Sequence, residues 1–355
     1  MSSFGTKIKL TVFGESHGDG IGVVLDGVPA GYKIDMDKLL LQMARRAPGK
    51  DKTSTPRLEK DFPDIKSGIL NSTTTGAPIA CVIENTNTKS GDYSNLLETP
   101  RPGHSDYTAY VKYNGFNDIR GGGHFSGRLT APIVFAGAIL RQILEQKGIK
   151  IAAHISSVGS ARDESFNPTV ISDELINSLN ESSFAVISSE AEQSMRDVIE
   201  QARKARDSVG GVVECAVVGM PVGVGGPLFD GIEGKLSQAI FAIPAVKGVE
   251  FGSGFNSAML KGSENNDPFE YKNDKVVTTT NNSGGILGGI SNGMPIIFRA
   301  AFKPTPSIAV EQNTVNLTTK QNAKLVVKGR HDPCVVPRAV SVVEAMAAIA
   351  IFDMI

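Results

Sequence analysis

The chain has 355 residues, and its 36 Lys and Arg residues nearly balance its 37 Asp and Glu residues, which gives a formal net charge of −1. This balance argues against nucleic acid or an anionic membrane surface as a partner, although it leaves room for a local basic pocket. Hydrophobic residues make up 41% of the chain and charged residues 21%, as is typical of a globular protein with a sizeable buried core.

Hydrophobic periodicity predicts strands and helices that are interleaved along the chain. In chain order, we predict strands at 7–13 and 21–28, a helix at 35–46, strands at 65–71 and 77–84, helices at 126–147 and 190–206, a strand at 212–218 and a helix at 337–352. Asp35 can cap the first helix, and Gly148 can end the second. Because many strands come in neighbouring pairs joined by turns, the pattern favours an α+β fold with antiparallel sheets over a doubly wound parallel sheet.

Two stretches of the chain resemble each other: residues 23–42 (VVLDGVPAGYKIDMDKLLLQ) and residues 215–238 (CAVVGMPVGVGGPLFDGIEGKLSQ). Each has the pattern of a strand, a Gly-x-Pro turn and an amphipathic helix, which predicts an internal duplication. No segment shows the composition shift of a linker, so we expect a single domain over residues 1–355. The polar stretch 263–282 is expected to be a flexible surface loop.

The three cysteines, Cys81, Cys215 and Cys334, are far apart and lack CxxC spacing. This argues against a disulfide framework or a structural zinc site and favours core or near-site thiols in a reducing compartment. The N-terminus runs into a strand-like pattern without the charged start and apolar run of a secretory signal. We identify no apolar run long enough to span a bilayer, and therefore predict a cytoplasmic protein.

Four of the five histidines lie in loops that contain Gly or Pro, which points to function more than to packing. These are His17, His104, His124 and His331. Residues 14–18 (GESHG) bring an acid, a hydroxyl and an imidazole to a sharp turn after a strand; the alternative is a polar turn with a surface His. Residues 101–107 (RPGHSDY) offer fixed cationic donors, or simply an Arg–Asp ion pair that stabilises a loop.

Residues 120–128 (RGGGHFSGR) place a glycine run before a helix N-terminus, where backbone N–H groups form an anion site. The chain lacks the P-loop and GxGxxG patterns, so nucleoside triphosphate chemistry is not supported. The structural alternative for residues 120–128 is a flexible hairpin loop. Residues 45–52 (RRAPGKDK) are the most basic stretch. A solvated helix end would also explain them.

Three loops near the carboxyl end combine glycines with cations: residues 284–293 (GGILGGISNG), 303–307 (KPTPS) and 329–334 (GRHDPC). Such loops after separate elements are best explained by one shared pocket, and their Arg and Lys content suits a small polyanion. Two histidines near a phosphate could protonate it as it leaves. We find no nucleophile elbow, no HExxH and no Cys/His metal spacing, and expect no metal.

The stretches GESHG, RRAPG, RPGHSDY, RGGGHFSGR, DSVGG, GVEFGSGF, GGILGGISNG, FKPTPSI and GRHDPC occur in this order between residues 14 and 334. In this the chain resembles the chorismate synthase family over essentially its whole length. The resemblance implies a duplicated domain in which two antiparallel sheets enclose a helical layer, and a homotetramer. It also implies an anti-1,4-elimination of phosphate from 5-enolpyruvylshikimate 3-phosphate, with reduced FMN required and no net redox change.

The resemblance assigns roles to individual residues. His17 would protonate the departing phosphate, His104 the reduced flavin near N1, and Asp332 would assist proton movement at N5. Phosphate and carboxylates would be held by Arg45, Arg46, Arg101, Arg128 and Arg330. FMN would contact His124, Phe125, Ser126, Ala245, Gly288, Lys303, Pro304, Thr305, Pro306, Ser307 and Arg330. Arg46 and Lys52 match positions assigned to NADP contact.

The chain departs from the family pattern at five positions. The family often has Arg at His124, Glu at Leu129 and Asn at Pro244, and commonly Arg at Ala47 and at Lys52. Pro244 has no backbone N–H to donate to a flavin. Two alternatives follow: a flavin- or phosphate-binding protein without lyase activity, and a phosphoryl-transfer enzyme that depends on ATP and Mg²⁺. NADPH as the source of reducing equivalents is left open, with no intrinsic flavin reductase expected.

Overall fold

The structure is a computed structural model that describes residues 2–49, 61–86, 96–327 and 332–355. Its α-helices are α1 (Met36–Arg46), α2 (Asp106–Lys112), α3 (Thr130–Gln146), α4 (Asp173–Glu181), α5 (Ser189–Lys204), α6 (Ile232–Phe241), α7 (Gly262–Asn265) and α8 (Val336–Met354). Its strands are β1 (Ser3–Phe4), β2 (Lys9–Gly14), β3 (Gly20–Asp26), β4 (Asp64–Ser67), β5 (Ile69–Leu70), β6 (Thr73–Thr74), β7 (Ile79–Glu84), β8 (Lys150–Val158), β9 (Ala161–Arg162), β10 (Gly211–Val218), β11 (Val246–Phe251), β12 (Phe269–Lys272), β13 (Lys275–Thr278), β14 (Ile286–Leu287), β15 (Ile290–Ser291), β16 (Ile296–Phe302), β17 (Gln312–Asn316) and β18 (Gln321–Leu325).

Two five-stranded antiparallel sheets form the frame of the molecule. The first sheet has the strand order β1-β2-β3-β7-β4, and the second has the order β9-β8-β10-β16-β11. In the second sheet the register places Glu214 opposite both His154 and Arg299, and Arg299 opposite Glu250. The antiparallel α+β fold predicted from the sequence is confirmed.

Helices α3 and α8 form the layer between the sheets. All residues from 130 to 144 on α3 and from 339 to 353 on α8 are buried, as expected for helices that are apolar on every side. Helix α3 packs on α8 and on strands of the first sheet, whereas α8 packs on β8 and β10 of the second. A Cβ at Gly137 would lie 2.4 Å from the Cα of Ala345, so this glycine permits the close approach of the two helices.

The two sheets share one topology, as the repeated sequence pattern predicts. In the first half, β2, β3, α1, β4, β7 and α3 follow one another, and in the second half β8, β10, α6, β11, β16 and α8 do the same. The corresponding strands occupy corresponding places in the two sheets: β2-β3-β7-β4 and β8-β10-β16-β11. This correspondence is what an internal duplication produces.

Several local predictions can be compared with the structure. Asp35 caps α1, since its side chain accepts the backbone N–H groups of Asp37 and Lys38. The stretch 263–282 is not an irregular loop, because it contains most of α7 and the β12–β13 hairpin. The expectation about apolar runs also needs correction: residues Gly127–Gln146 are long and apolar enough to cross a membrane, but 89% of this helix is buried inside the protein, as in a core helix.

Candidate active site

One cavity of about 580 Å³ is lined by residues from five of the seven loops that the sequence analysis selected, and the loops 14–18 and 284–293 do not line it. Its walls come from the carboxyl end of α1, the loops at 101–105 and 121–128, the segment 241–247, the loop after β16 and the first two turns of α8. The predicted site residues that line it are Arg46, Arg101, His104, His124, Phe125, Ser126, Arg128, Ala245, Lys303, Thr305, Pro306, Ser307 and Asp332. A cavity of this volume can hold a small-molecule ligand together with part of a cofactor.

A glycine turn places the two proposed acid–base histidines. Gly121, Gly122 and Gly123 have φ values of +59°, +85° and +53°, which residues with a Cβ rarely adopt. A Cβ at Gly121 would lie 2.1 Å from Nδ1 of His17, and one at Gly122 would lie 3.2 Å from Nε2 of His104. Both rings therefore pack on the backbone of this turn, His17 buried behind it and His104 on the cavity wall.

Arg101, His104 and Asp106 form one buried group. Arg101 donates from Nε and Nη2 to the two carboxylate oxygens of Asp106 at 2.7 and 2.8 Å, and from Nη1 to Ser307 at 3.0 Å. Nδ1 of His104 lies 2.5 Å from Oδ1 of Asp106 and 3.1 Å from Nη2 of Arg101, and its Nε2 faces Gly122. Burial acts to raise the pKa of Asp106, but the hydrogen bonds from Arg101 and His104 hold it well below its usual range. The Arg–Asp ion pair that the sequence analysis gave as the structural alternative is present, and its Arg101 lines the cavity.

Arg46 and Arg128 form a second cationic wall with Asp61. Arg46 donates from Nη1 to Oδ2 of Asp61 at 2.8 Å, and Arg128 donates from Nη1 to Oδ1. Burial lowers the pKa of Arg46 to about 10, with Asp61 opposing the shift. Burial would raise the pKa of Asp61, but the two arginines outweigh it and the net shift is downward. Arg46 therefore stays charged at neutral pH.

A third part of the cavity wall is built from the loop after β16, Asp332 and the start of α8. Asp332 forms an ion pair with Arg338, and its carbonyl accepts a hydrogen bond from the hydroxyl of Thr305 at 3.0 Å. Lys303 donates from Nζ to the carbonyl of Gly103, and its backbone N–H donates to Ala245 at 3.0 Å. Ala245 has a φ of +73°, a strained value for a non-glycine residue, which fits a backbone held for ligand contact.

The segment His124–Ser126 forms the rim. His124 donates from Nδ1 to the carbonyl of Gly14 at 2.8 Å, and its Nε2 lies 2.8 Å from the hydroxyl of Ser2. Phe125 is 39% exposed, which is consistent with an apolar surface for a flat ring. Ser126 accepts the backbone N–H of Arg128 at 3.3 Å.

Four predicted site residues do not line the cavity: His17, which is buried behind the glycine turn, Arg45, Gly288 and Pro304. The guanidinium of Arg45 points into the core and donates to Glu344 at 2.6 Å, so its expected contact with substrate is not seen. Gly288 lies in the exposed turn between β14 and β15, and Pro304 does not line the cavity, although its neighbours do. The predictions for Lys52, Arg330 and His331 fall outside the described residues.

Sequence reasoning missed other residues of the site. Asp61 and Lys247 belong to no recognised motif, and Arg338 lies one turn beyond the last one. Arg338 donates from Nε to the carbonyl of Arg46 at 3.0 Å and so links α8 to α1. A signal was available only for Arg338, as a charge in the first turn of a mostly apolar helix.

The donor set indicates what the cavity can hold. Guanidinium groups, hydroxyls and backbone N–H groups at a glycine turn suit phosphate and carboxylate oxygens, and the strained Ala245 backbone with Phe125 suits a flat ring. These residues fit FMN together with a small polyanion. Within the described ranges, no group of three or more His, Cys, Asp or Glu side chains could hold a metal ion.

The fold and this cavity define an enzyme of the duplicated α+β sandwich type with a site for a small polyanion. The family model described as chorismate synthase matches residues 8–355. A chorismate synthase from Dehalococcoides mccartyi is 49% identical over 353 residues, which cover 99% of this chain and 96% of the relative. One from Pyrococcus abyssi is 49% identical over 349 residues, which cover 98% of this chain and 96% of the relative. A crystal structure of chorismate synthase superposes with a TM-score of 0.76 at 28% identity, over 99% of this chain and 92% of the other.

The chain belongs to the chorismate synthase family. Its members are carbon–oxygen lyases of aromatic amino acid biosynthesis that eliminate phosphate to form chorismate. The family requires a reduced flavin, which agrees with the fit of the cavity.

Proposed function

We propose that this chain converts 5-enolpyruvylshikimate 3-phosphate to chorismate in the described cavity, with FMN as the flavin. The observation that carries the proposal is the convergence of His104, the His17 glycine turn and the Arg46–Arg128 pair on one cavity of about 580 Å³. In the reaction the C3–O bond breaks with its electron pair on phosphate, and the C6–H electron pair enters the new diene. Reduced FMN, when bound, supplies electron density beside the electron-poor ring.

The protein's own groups handle the charges and protons. Arg46, Arg101 and Arg128 orient the anionic groups of the substrate, because buried guanidinium groups bind oxyanions strongly. Arg330 is proposed for the same role. His17 protonates the departing phosphate, which makes it a better leaving group. His104, with Nδ1 held by Asp106, is a proton donor towards the flavin side.

Asp332 is proposed to assist the proton that leaves C6. Its ion pair with Arg338 fixes the carboxylate at the cavity wall. The flavin contacts are assigned to His124–Ser126, Ala245 and the loop 303–307, which share this cavity apart from Pro304. Gly288 and Lys52 stay proposals from the family resemblance.

An anaerobic assay tests the proposal. With photoreduced FMN in catalytic amounts, we expect equimolar chorismate and inorganic phosphate. FMN binding without phosphate release would favour a flavin-binding protein without lyase activity, and dependence on ATP and Mg²⁺ would favour phosphoryl transfer. With NADPH and oxidised FMN in air we expect little chorismate, because no intrinsic reductase is proposed; rapid turnover would contradict that part.

We also propose a cytoplasmic homotetramer without nucleic-acid or membrane partners. Among the residues that the structure describes, six large hydrophobic side chains are more than four-fifths exposed in the single chain, which supports association: Phe116, Leu228, Phe229, Phe255, Met259 and Tyr271. Sedimentation equilibrium is expected to give four times the chain mass of 37.5 kDa, and a monomer would contradict the proposal.

A further inference from the structure

Asp61 is a buried carboxylate shared by two cations of the cavity. Its side chain is 0% exposed, and its two oxygens accept from different guanidinium groups, Oδ2 from Arg46 and Oδ1 from Arg128. Both arginines line the cavity, whereas Asp61 does not. The carboxylate is therefore shielded from a ligand, while the cations that it neutralises are presented to one.

The two guanidinium groups are held by neutral groups as well. Arg46 donates from Nε to the hydroxyl of Thr130 at 3.0 Å and from Nη2 to the carbonyl of Gly127 at 2.7 Å. Arg128 donates from Nε to Asn85 at 3.0 Å and from Nη2 to the carbonyl of Glu84 at 3.2 Å. Their positions therefore do not depend on Asp61 alone.

Solvent screens the charge of Asp61 only weakly. The two arginine side chains are only 3% and 4% exposed, so solvent screens the three charges weakly. The carboxylate of Asp61 places one negative charge between two cations of this wall. Without it, the wall would attract an oxyanion much more strongly.

We propose that Asp61 sets the oxyanion affinity of the Arg46–Arg128 wall and keeps it low enough for free phosphate to leave. This inference rests on the proposed function, in which inorganic phosphate is released inside this cavity. Asp61 is thus a positioning and affinity-setting residue that acts through the two arginines. If Asp61 only held the two arginines in place, removal of its charge would weaken anion binding, which is the opposite of what the proposal predicts.

The test compares inorganic phosphate binding to the flavin-free wild-type chain, to Asp61→Asn and to Asp64→Asn by calorimetric titration. Asp64 is the matched control, because it lies three residues away, is 55% exposed and pairs with Lys66 at 2.5 Å. We expect Asp61→Asn to bind phosphate about tenfold more tightly or better. Asp64→Asn is expected to match the wild type. Unchanged or weaker phosphate binding by folded Asp61→Asn overturns the proposal.

Thermal unfolding keeps the test decisive if Asp61→Asn is unstable. Two buried cations without their carboxylate destabilise the fold, so its Tm should fall in chloride buffer. Added phosphate should raise this Tm by more than it raises the wild-type Tm. If phosphate fails to restore the variant, the proposal is wrong. Since neither flavin nor substrate is present, this result is separate from whether the wild-type chain makes chorismate.

Discussion

His17 and His104 lie against neighbouring glycines of the same turn. A Cβ at Gly121 would lie 2.1 Å from Nδ1 of His17, and one at Gly122 would lie 3.2 Å from Nε2 of His104. One backbone segment therefore sets the position of both imidazoles. This arrangement accounts for Gly121 and Gly122, whereas a Cβ at Gly123 would lie 2.0 Å from the carbonyl oxygen of Asp118.

Replacement of Gly121 by Ala is expected to displace the His17 ring and lower kcat about 10²-fold, since small misplacements of reacting groups have effects of this size. The control is Gly234→Ala on α6, where nothing lies within 4 Å of the added Cβ. That variant should keep wild-type kcat and gain slightly in stability. Steady-state kinetics under anaerobic conditions measure both. Wild-type kcat in Gly121→Ala would contradict the placement.

His17→Ala and His104→Ala are expected to lose turnover far more than FMN affinity. General acid–base residues contribute about 10²–10⁴-fold to the rate, whereas neither ring is assigned a large share of flavin binding. Fluorescence titration gives the FMN dissociation constant, and rapid-quench phosphate release gives the rate. Large and equal losses of FMN affinity in both variants would refute the proton-transfer roles.

Glu344 is the centre of a buried ionic group and should matter for stability. Its carboxylate is 0% exposed and accepts from Arg45 at 2.6 Å, Arg141 at 2.9 Å and the backbone N–H of Ala153 at 3.0 Å. Glu344→Gln leaves two buried cations without a counter-charge, which costs about 3–5 kcal/mol. Urea unfolding measures the change. The exposed pair Lys324–Glu311 provides the control, and Lys324→Gln should change little.

His154 is expected to make stability depend on pH above neutrality. It lies between Asp163 at 2.9 Å and Glu214 at 3.0 Å with no exposed surface. Burial would lower the pKa of His154, but the two carboxylates outweigh it and raise the pKa above 6.5. Because the pKa of His154 is higher in the folded than in the unfolded protein, protonated His154 stabilises the fold fully below a pH of about 6.5. This stabilisation is lost as the pH rises through the pKa of His154 in the folded protein.

The pH dependence is measured as the free energy of unfolding between pH 6 and pH 9, in the wild type and in His154→Gln. The wild type should lose stability across this range, and the variant should lose less. A wild-type stability that is flat or rises with pH would show that the imidazole is neutral in the folded protein.

The fold was largely predictable because its strongest signals are local. Helices α3 and α8 are apolar on every side and Asp35 is a standard N-cap, so periodicity and capping rules located them. The duplication was visible because the two β–turn–α units keep similar glycine and proline positions. The β12–β13 hairpin was missed because its polar residues, such as Glu270, carry no core-facing pattern.

The site was only partly predictable, and Arg45 and Arg46 show why. Consecutive helix residues point about 100° apart, so one of the two must turn away from any shared ligand. The sequence does not say which, and the structure turns Arg45 to Glu344 and Arg46 to the cavity. Asp61 was missed because its partners lie 15 and 67 residues away, and no local pattern reports such a contact.

A crystal structure of the chain with FMN and 5-enolpyruvylshikimate 3-phosphate tests the central claim most directly. We expect the flavin ring against Ala245 and the loop 303–307, and the substrate's oxyanions at Arg46, Arg101 and Arg128. The phosphate should lie within hydrogen-bond reach of His17. Density for either ligand outside this cavity, or phosphate remote from both His17 and the Arg46–Arg128 wall, would contradict the account.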